Sequence, residues 1–335
     1  MSITEPRTVD HQVRADAVSA PQPHDGLRPR LSWRRGRVLA GCTLTLAVLL
    51  ALRSHLPSGP GQLGSLAQTL APWSGVAVPV LLVLALARRS APAQIAVVLT
   101  ALIWGALFGG VLIDKRQQGG GLTVVSHNVD EANRDPEGTA RRLAASGADI
   151  IALEELRAAA VPAYERVLNR AYGHHSVRGT VGLWSTYPLS DTESVAIMPW
   201  TRALRSTVET PEGPVAVYVA HLASVRVHPG TGFTTSRRNE AARLLADALD
   251  AERLERTLLV GDLNGSTDDS ALARLTSGMR SAQKSAGKGF GFSWPASFPV
   301  VRIDHILARG IDPVSSRTLP ATGSDHLPVA ATFRL

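Results

Sequence analysis

Near the C-terminus the stretch ATGSDHLPVAATF, residues 321–333, sets Asp325 and His326 between a Gly-Ser turn signal and an alternating apolar run that reads as a strand. A histidine there could act as a base, although Asp and His are also ordinary turn residues. The same pattern, a polar residue closing an apolar run, recurs along the chain. Asn128 and Asp130 follow LTVV, Glu155 follows IIALE, and His221 follows VAVYVA. Asp262 and Asn264 stand in LVGDLN, and Asp304 in RIDHIL. Each residue alone is more readily a turn former than a ligand. Side-by-side strands would bring them together, and carboxylates crowded away from water need a compensating cation. Oxygen-rich ligation without cysteine points to Mg²⁺ or Mn²⁺. With a histidine and amide donors, such a site suits attack of water on phosphorus.

The elements that must position these residues begin at Leu122. LTVVSHNV, ADIIALEEL, VGLWSTYPL, the segment 207–222, TLLVGDLN, RIDHILARG and VAATFRL read as strands. GTARRLAASG and Arg237–Leu254 read as helices. Alternating and continuous apolar strands both occur, so the expected fold is α/β with mixed sheets covered by helices.

Residues 1–121 read differently. The first 37 are polar and basic and lack periodicity, as in a disordered tail. Three apolar runs follow, at Val38–Leu52, Trp73–Ala87 and Ala93–Ile113. The third has no charge and no polar face, and the expectation is three membrane helices over residues 38–113. Arg28, Arg30, Arg34, Arg35 and Arg37 precede the first, and Arg88-Arg89 separate the second from the third. This puts the N-terminus in the cytoplasm and everything after Ile113 outside the cell, with only Lys115 and Arg116 running against it. Residues 114–121, ending QQGGG, read as a linker to a catalytic domain at 122–335.

The net charge of +7 belongs entirely to the first part. Residues 1–121 hold 12 Lys/Arg and 5 Asp/Glu, whereas residues 122–335 hold 23 of each. The C-terminal part lacks the basic footprint of a sequence-independent nucleic-acid binder. The single cysteine, Cys42, excludes an intramolecular disulfide.

The ordered set SHNVD, IIALEEL, VGLWSTYPL, YVAHLAS, LVGDLNGSTDD, RIDHIL and GSDHLPV resembles the endonuclease/exonuclease/phosphatase superfamily over residues 122–335. The resemblance implies a four-layer α-β-β-α sandwich with Mg²⁺ at the strand ends. It implies Glu155 as metal ligand, with Asn128 beside it and Asp130 and Asp325 as further metal-side acids. It implies Asp262 on the attacking water, Asn264 and His326 on the phosphate, and Asp304 as partner of His326. Strand alternation would turn Asp325 away from His326. His221 in AHL matches phosphatase, sphingomyelinase and nuclease-like members, where abasic-site endonucleases have tyrosine. Glu154 stands where many members have Gln and is expected to face away from the metal. Arg205, Arg226 and His228 are weaker candidates for phosphate contact. The three-helix anchor resembles the actinobacterial VanJ-type teicoplanin-resistance branch. That implies a phosphohydrolase acting outside the cell on a lipid-linked phosphate, with the bilayer as partner. A tethered nuclease and a non-catalytic envelope binding protein are the alternatives.

Overall fold

The computed structural model describes Met1 and residues 36–55, 63–228 and 232–335. The tail expected at 1–37 lies almost wholly outside them, as do the side chains of Arg226 and His228. Four helices come first: α1 (Arg37–Ala51), α2 (Leu63–Leu70), α3 (Ser74–Ala87) and α4 (Ala91–Leu112). Ser90 ends the Arg88-Arg89 turn and caps α4 by accepting from the Ala93 amide at 3.3 Å, with a proline in the first turn. Small buried residues, Ala40, Ala85 and Ala93, let α1, α3 and α4 pack closely. Their other faces expose large apolar side chains, among them Val80, Val83, Leu86, Ile95, Val98 and Leu102. Helical Gly64–Ala87 and Ala91–Leu112, 24 and 22 residues, are long and apolar enough to cross a membrane. α1 has 15 residues, fewer than the roughly 20 a crossing needs.

The segment after α1 is not simply a loop. α2 runs through a short 3₁₀ turn into α3 and lays its polar face on the C-terminal part. There the Ser270 backbone amide donates to Gln68 Oε1 at 2.8 Å, and Arg238 Nη2 donates to Ser65 Oγ at 3.0 Å. The expected linker is pinned as well. The Lys115, Gln117 and Gly121 amides donate to the carbonyls of Gly287, Val314 and Phe333. At Gly120, φ is +109°, and a Cβ would collide with Thr332 and Phe333.

Beyond the linker come β1 (Leu122–Asn128), α5 (Pro136–Ala144), β2 (Ile150–Glu154), α6 (Val161–Leu168), β3 (His174–Arg178), β4 (Val181–Ser185), β5 (Leu189–Ser194), β6 (Ala203–Thr210) and β7 (Gly213–Ala220). Then follow β8 (Arg226–His228), β9 (Gly232–Thr234), α7 (Ser236–Asp250), β10 (Thr257–Asp262), α8 (Ala273–Thr276), β11 (Arg280–Ser281), α9 (Ala282–Ala286), β12 (Asp304–Arg309), β13 (Asp312–Thr318) and β14 (Val329–Arg334). One six-stranded sheet has the order β13-β14-β1-β2-β4-β3, the other β11-β12-β10-β7-β6-β5. Both are mixed, with β1 parallel to β2 and β10 parallel to β7.

Alternation along each strand builds four layers. Val124, Ile150 and Ala152 of the first sheet meet Val217, Val219 and Val260 of the second in the central core. Val125, Ile151 and Leu153 turn outward onto Ala140, Leu143 and Tyr164 of α5 and α6. Ala216, Tyr218 and Leu259 turn outward onto Ala241 and Leu245 of α7.

The topology decides where the polar residues meet. The parallel pairs β1/β2 and β7/β10 end at the same rim, bringing Asn128, Glu155, His221 and Asp262 there. β12 and β14 run antiparallel to these neighbours, so their starts, at Asp304 and just after His326, arrive at that rim too. Gly261, at φ +135°, lets β10 approach β7, because a Cβ there would collide with the Ala220 carbonyl.

Two buried histidines link stability to pH. Burial, with the charge of Arg302, holds His305 down at about 3; burial, with His326, holds His127 at about 3. His305 donates from Nε2 to the Gly265 carbonyl at 2.9 Å, as a neutral ring does. A folded-state pKa below the unfolded value of about 6.5 stabilises the fold fully above pH 6.5. That stability is lost as pH falls toward 3, by up to about 1.4 kcal/mol per histidine per pH unit. Other buried groups titrate in the same range, so the comparison with a variant isolates this contribution: below pH 6.5 the thermal midpoint of the full-length wild type should drop relative to that of His305→Gln. Equal slopes would contradict this.

Candidate active site

The rim holds a cavity of about 480 Å³ lined by Asp130, Glu155, Asp262, Asn264, Asp325 and His326. Asn128, His221 and Asp304 stand behind it. Asn128 Nδ2 donates to Asp262 Oδ2 at 3.1 Å. His221 Nε2 lies 3.4 Å from Glu155 Oε1 and 3.7 Å from Asp262 Oδ2. His326 Nδ1 donates to Asp304 Oδ2 at 2.9 Å, while its Nε2 lies 4.0 Å from Asp262 Oδ2. All nine residues singled out in the sequence thus meet at one place.

The backbone there is bent to that end. Asp130, Glu155 and Asn264 have φ of 61°, 58° and 47° and make up three of the five non-glycine residues with positive φ among those described. Such conformations cost free energy and persist where surrounding structure imposes them. At Asn264 the imposing contacts are visible. Its amide donates to Asp262 Oδ1 at 2.8 Å, and its Nδ2 donates to Asp262 Oδ2 and the Leu222 carbonyl, both at 3.1 Å.

Asp262 and Asp304 are directly paired across β10 and β12, so two carboxylates face each other in a buried site. Burial and Asp304 push Asp262 up to about 7, against His326 and the amide donors. Burial works against charge on His326, but Asp304, Asp262 and Asp325 outweigh it and hold the ring up to about 10. These carboxylates favour the imidazolium form of His326, while Asp262 is the carboxylate whose proton affinity the site raises. His221 is the reverse case. Burial, Arg202 and His326 hold it well below the usual histidine range, so it is neutral.

Two expectations about orientation change. Residues 319–328 form no strand, so Asp325 does not turn fully away; its Oδ1 lies 3.8 Å from His326 Nε2, and its Oδ2 accepts from Trp294 Nε1 at 3.1 Å. Glu154 has the parity of Ile150 and Ala152 and points between the sheets, beneath the site. Ser126 Oγ donates to its Oε1 at 3.0 Å. Burial, Asp304 and Asp262 raise it well above the usual carboxylate range. Arg205 is drawn elsewhere, onto Glu252 at 3.0 Å, beside a cavity of about 690 Å³ that no site residue lines.

Sequence reasoning missed three contributors. Arg202, just before β6, places a guanidinium Nη2 against the His221 ring, and Glu155 and Asp262 favour its charge. Ser293 Oγ donates to Asp304 Oδ2 at 2.6 Å and so fixes the partner of His326. From α2, Leu66, Thr69 and Leu70 wall one side of the cavity, with Trp294, Val300, Val301 and Ile303. Trp294 stands in the aromatic run GFGFSWPASF, residues 289–298; Arg202 was one of 35 Lys and Arg residues and carried no signal.

The donor chemistry fits a hard divalent cation. Asp262, Asp304 and His326 each bring one ligand atom within 4.8 Å of the others, and four carboxylates line one cavity. Buried polar atoms without a hydrogen-bond partner among the described residues, including Glu154 Oε2 and Arg202 Nε, cluster around it.

This fold and rim match the Endonuclease/Exonuclease/phosphatase family, which aligns with residues 125–326. The chain belongs to that family and is a phosphoric ester hydrolase; family enzymes generally depend on a divalent metal. Among solved structures it is similar to Bacteroides thetaiotaomicron mannosyl-6-phosphatase Bt3783, at 15% identity and TM-score 0.55, over 64% of this chain and 100% of that one. It is similar to D. rerio TDP2 complexed with single strand DNA product, at 20% and 0.53, over 64% and 99%. It is also similar to Staphylococcus aureus beta toxin, at 14% and 0.50, over 63% and 99%. At these identities the likeness is one of fold. No curated protein matches the chain.

Proposed function

We propose that the protein is a membrane-anchored phosphohydrolase with its site outside the cell, acting on a lipid-linked phosphate or pyrophosphate of the envelope. One observation carries this reading. The cavity that holds Asp262 and His326 is closed on its other side by Leu66, Thr69 and Leu70, on a helix that continues into apolar α3. A substrate with a phosphate head and a hydrocarbon tail fits both walls, and an anchor raises its local concentration. The exposed apolar faces of α3 and α4 support membrane insertion, and the arginines before α1 and α4 support a cytoplasmic N-terminus. With the VanJ-type resemblance, we place the activity in undecaprenyl phosphate recycling and glycopeptide resistance.

We place the cation on the Glu155 side, with Asn128, Asp130 and Asp325, as the family resemblance implies, and leave His326, which Asp304 holds, to the phosphate. Bound there, Mg²⁺ or Mn²⁺ would neutralise charge on the phosphoryl and leaving-group oxygens. Asp262 orients a water and takes its proton as the oxygen bonds to phosphorus and the P–O bond to the leaving group breaks. Its value of about 7 suits a base at neutral pH. His326, Asn264, His221 and Arg202 face the developing charge on the phosphoryl oxygens.

Phosphate release from undecaprenyl pyrophosphate in detergent, beside plasmid nicking in the same Mg²⁺ buffer, tests the substrate. Lipid turnover without nicking is expected. Nicking without lipid turnover would make the protein a tethered nuclease, a reading that its electroneutral C-terminal part does not favour. Neither activity would favour the envelope binding protein.

A further inference from the structure

A third cavity, about 260 Å³, lies where the end of α4 meets the catalytic domain. Phe108 and Val111 of α4 form one wall; Lys115, Lys284, Arg302 and Asp268 line the other. Its charges do not balance. Lys284 Nζ pairs with Asp268 at 2.8 Å. Lys115 Nζ donates to the Lys284 carbonyl at 2.8 Å and has no carboxylate partner among the described residues. Arg302 makes no hydrogen bond or ion pair with any described side chain or carbonyl. Burial lowers its pKa to about 10, with Asp268 opposing. Arg302 is half-buried, and its guanidinium donors, unmet by the protein, are open to an anion.

The surroundings set the depth of this cavity. Phe290 stacks on Phe292 at 5.2 Å, Phe292 on Trp73 at 5.8 Å, and Phe290 meets Trp104 and Phe108 edge-on. Trp73 and Trp104 belong to this cluster, and Trp is enriched at the level of lipid head groups; basic pockets between membrane helices bind lipid head groups. The volume, just below the usual range for small-molecule pockets, suits a single phosphate group with any chain lying along α4. Thr69 lines this cavity and the catalytic one, and Gly265 of the latter adjoins Ser266 of the former.

We propose that this cavity is a phosphate-binding site separate from the catalytic one, taking the phosphate of an anionic outer-leaflet lipid or free phosphate. The lipid source rests on the reading that α4 crosses the bilayer. The test measures the thermal midpoint of the full-length protein in detergent with dioctanoyl phosphatidylglycerol, dioctanoyl phosphatidylcholine or inorganic phosphate. Phosphatidylglycerol should raise the midpoint saturably by mass action, and phosphatidylcholine should not. The apparent affinity should weaken by about tenfold or more in Arg302→Gln, and also in Lys115→Gln, which serves if the first variant does not fold. Inorganic phosphate matching the lipid would support the site and assign it to free phosphate. Equal shifts with both lipids and none with phosphate, or a full response in both variants, would overturn it. Alkaline carbonate extraction of cell membranes reads insertion separately, so that release of the chain refutes the anchor while the phosphate arm still judges the cavity.

Discussion

Replacing Asp262 with Asn is expected to lower turnover about a thousandfold or more while leaving the protein folded. Asp262 is the residue on which the site converges. It accepts from Asn128 Nδ2 at 3.1 Å and from the Asn264 amide at 2.8 Å, and it faces Asp304 across the sheet. An amide at this position keeps the shape but cannot take a proton from water. The stability change should have the opposite sign to a structural lesion. A folded-state value of about 7, raised from 3.8, means that the fold disfavours the ionised form, a cost present at high pH that fades as pH falls through 7. In a chelating buffer at pH 8 the variant should melt at or above the wild-type midpoint. A large loss of stability along with the lost activity would mean that Asp262 serves the fold.

The largest stability effect is expected at Asp269. Its carboxylate meets Arg238 Nη1 at 2.7 Å, with the two side chains 0% and 1% exposed. Ser65 of α2 also bonds Asp269, and Arg238 donates to Ser65 Oγ and, at 3.2 Å, to the Asn264 carbonyl. One buried charge pair thus ties α2 to the turn that carries Asn264. Asp269→Ala leaves Arg238 buried and uncompensated, at about 3–5 kcal/mol. It should also reduce activity, because α2 and Asn264 both border the catalytic cavity. Calorimetry of the full-length protein measures this. Asp269→Asn, which retains hydrogen-bonding capacity, should lose less, and a midpoint unchanged in Asp269→Ala would refute the tie.

The parts of this site that lay in regular strands could be read from residue order. Asn128, His221 and Asp262 each close a run whose apolar residues fix its register and therefore its rim. Glu155 was legible for the same reason, although its left-handed backbone was not. The errors came where alternation stops or where partners are remote. Asp325 lies in a bend, where strand parity does not apply, but Asp304 and not Asp325 hydrogen-bonds His326, as expected. Glu154 was taken to turn away, whereas the parity of Ile150 and Ala152 already pointed it between the sheets. α2 carries Ser65 and Gln68, whose partners Asp269 and Ser270 stand some 200 residues away, and nothing local marks them as an interface. Arg202 has meaning only through His221, which another strand delivers.

The most direct test of the account is phosphate release from undecaprenyl pyrophosphate by full-length protein first stripped with EDTA, then given Mg²⁺, with Asp262→Asn alongside. Release should be absent after stripping, return with Mg²⁺ in the wild type, and stay absent in the variant. Undiminished release in EDTA, or wild-type turnover by the variant, would contradict a metal-assisted hydrolysis centred on Asp262.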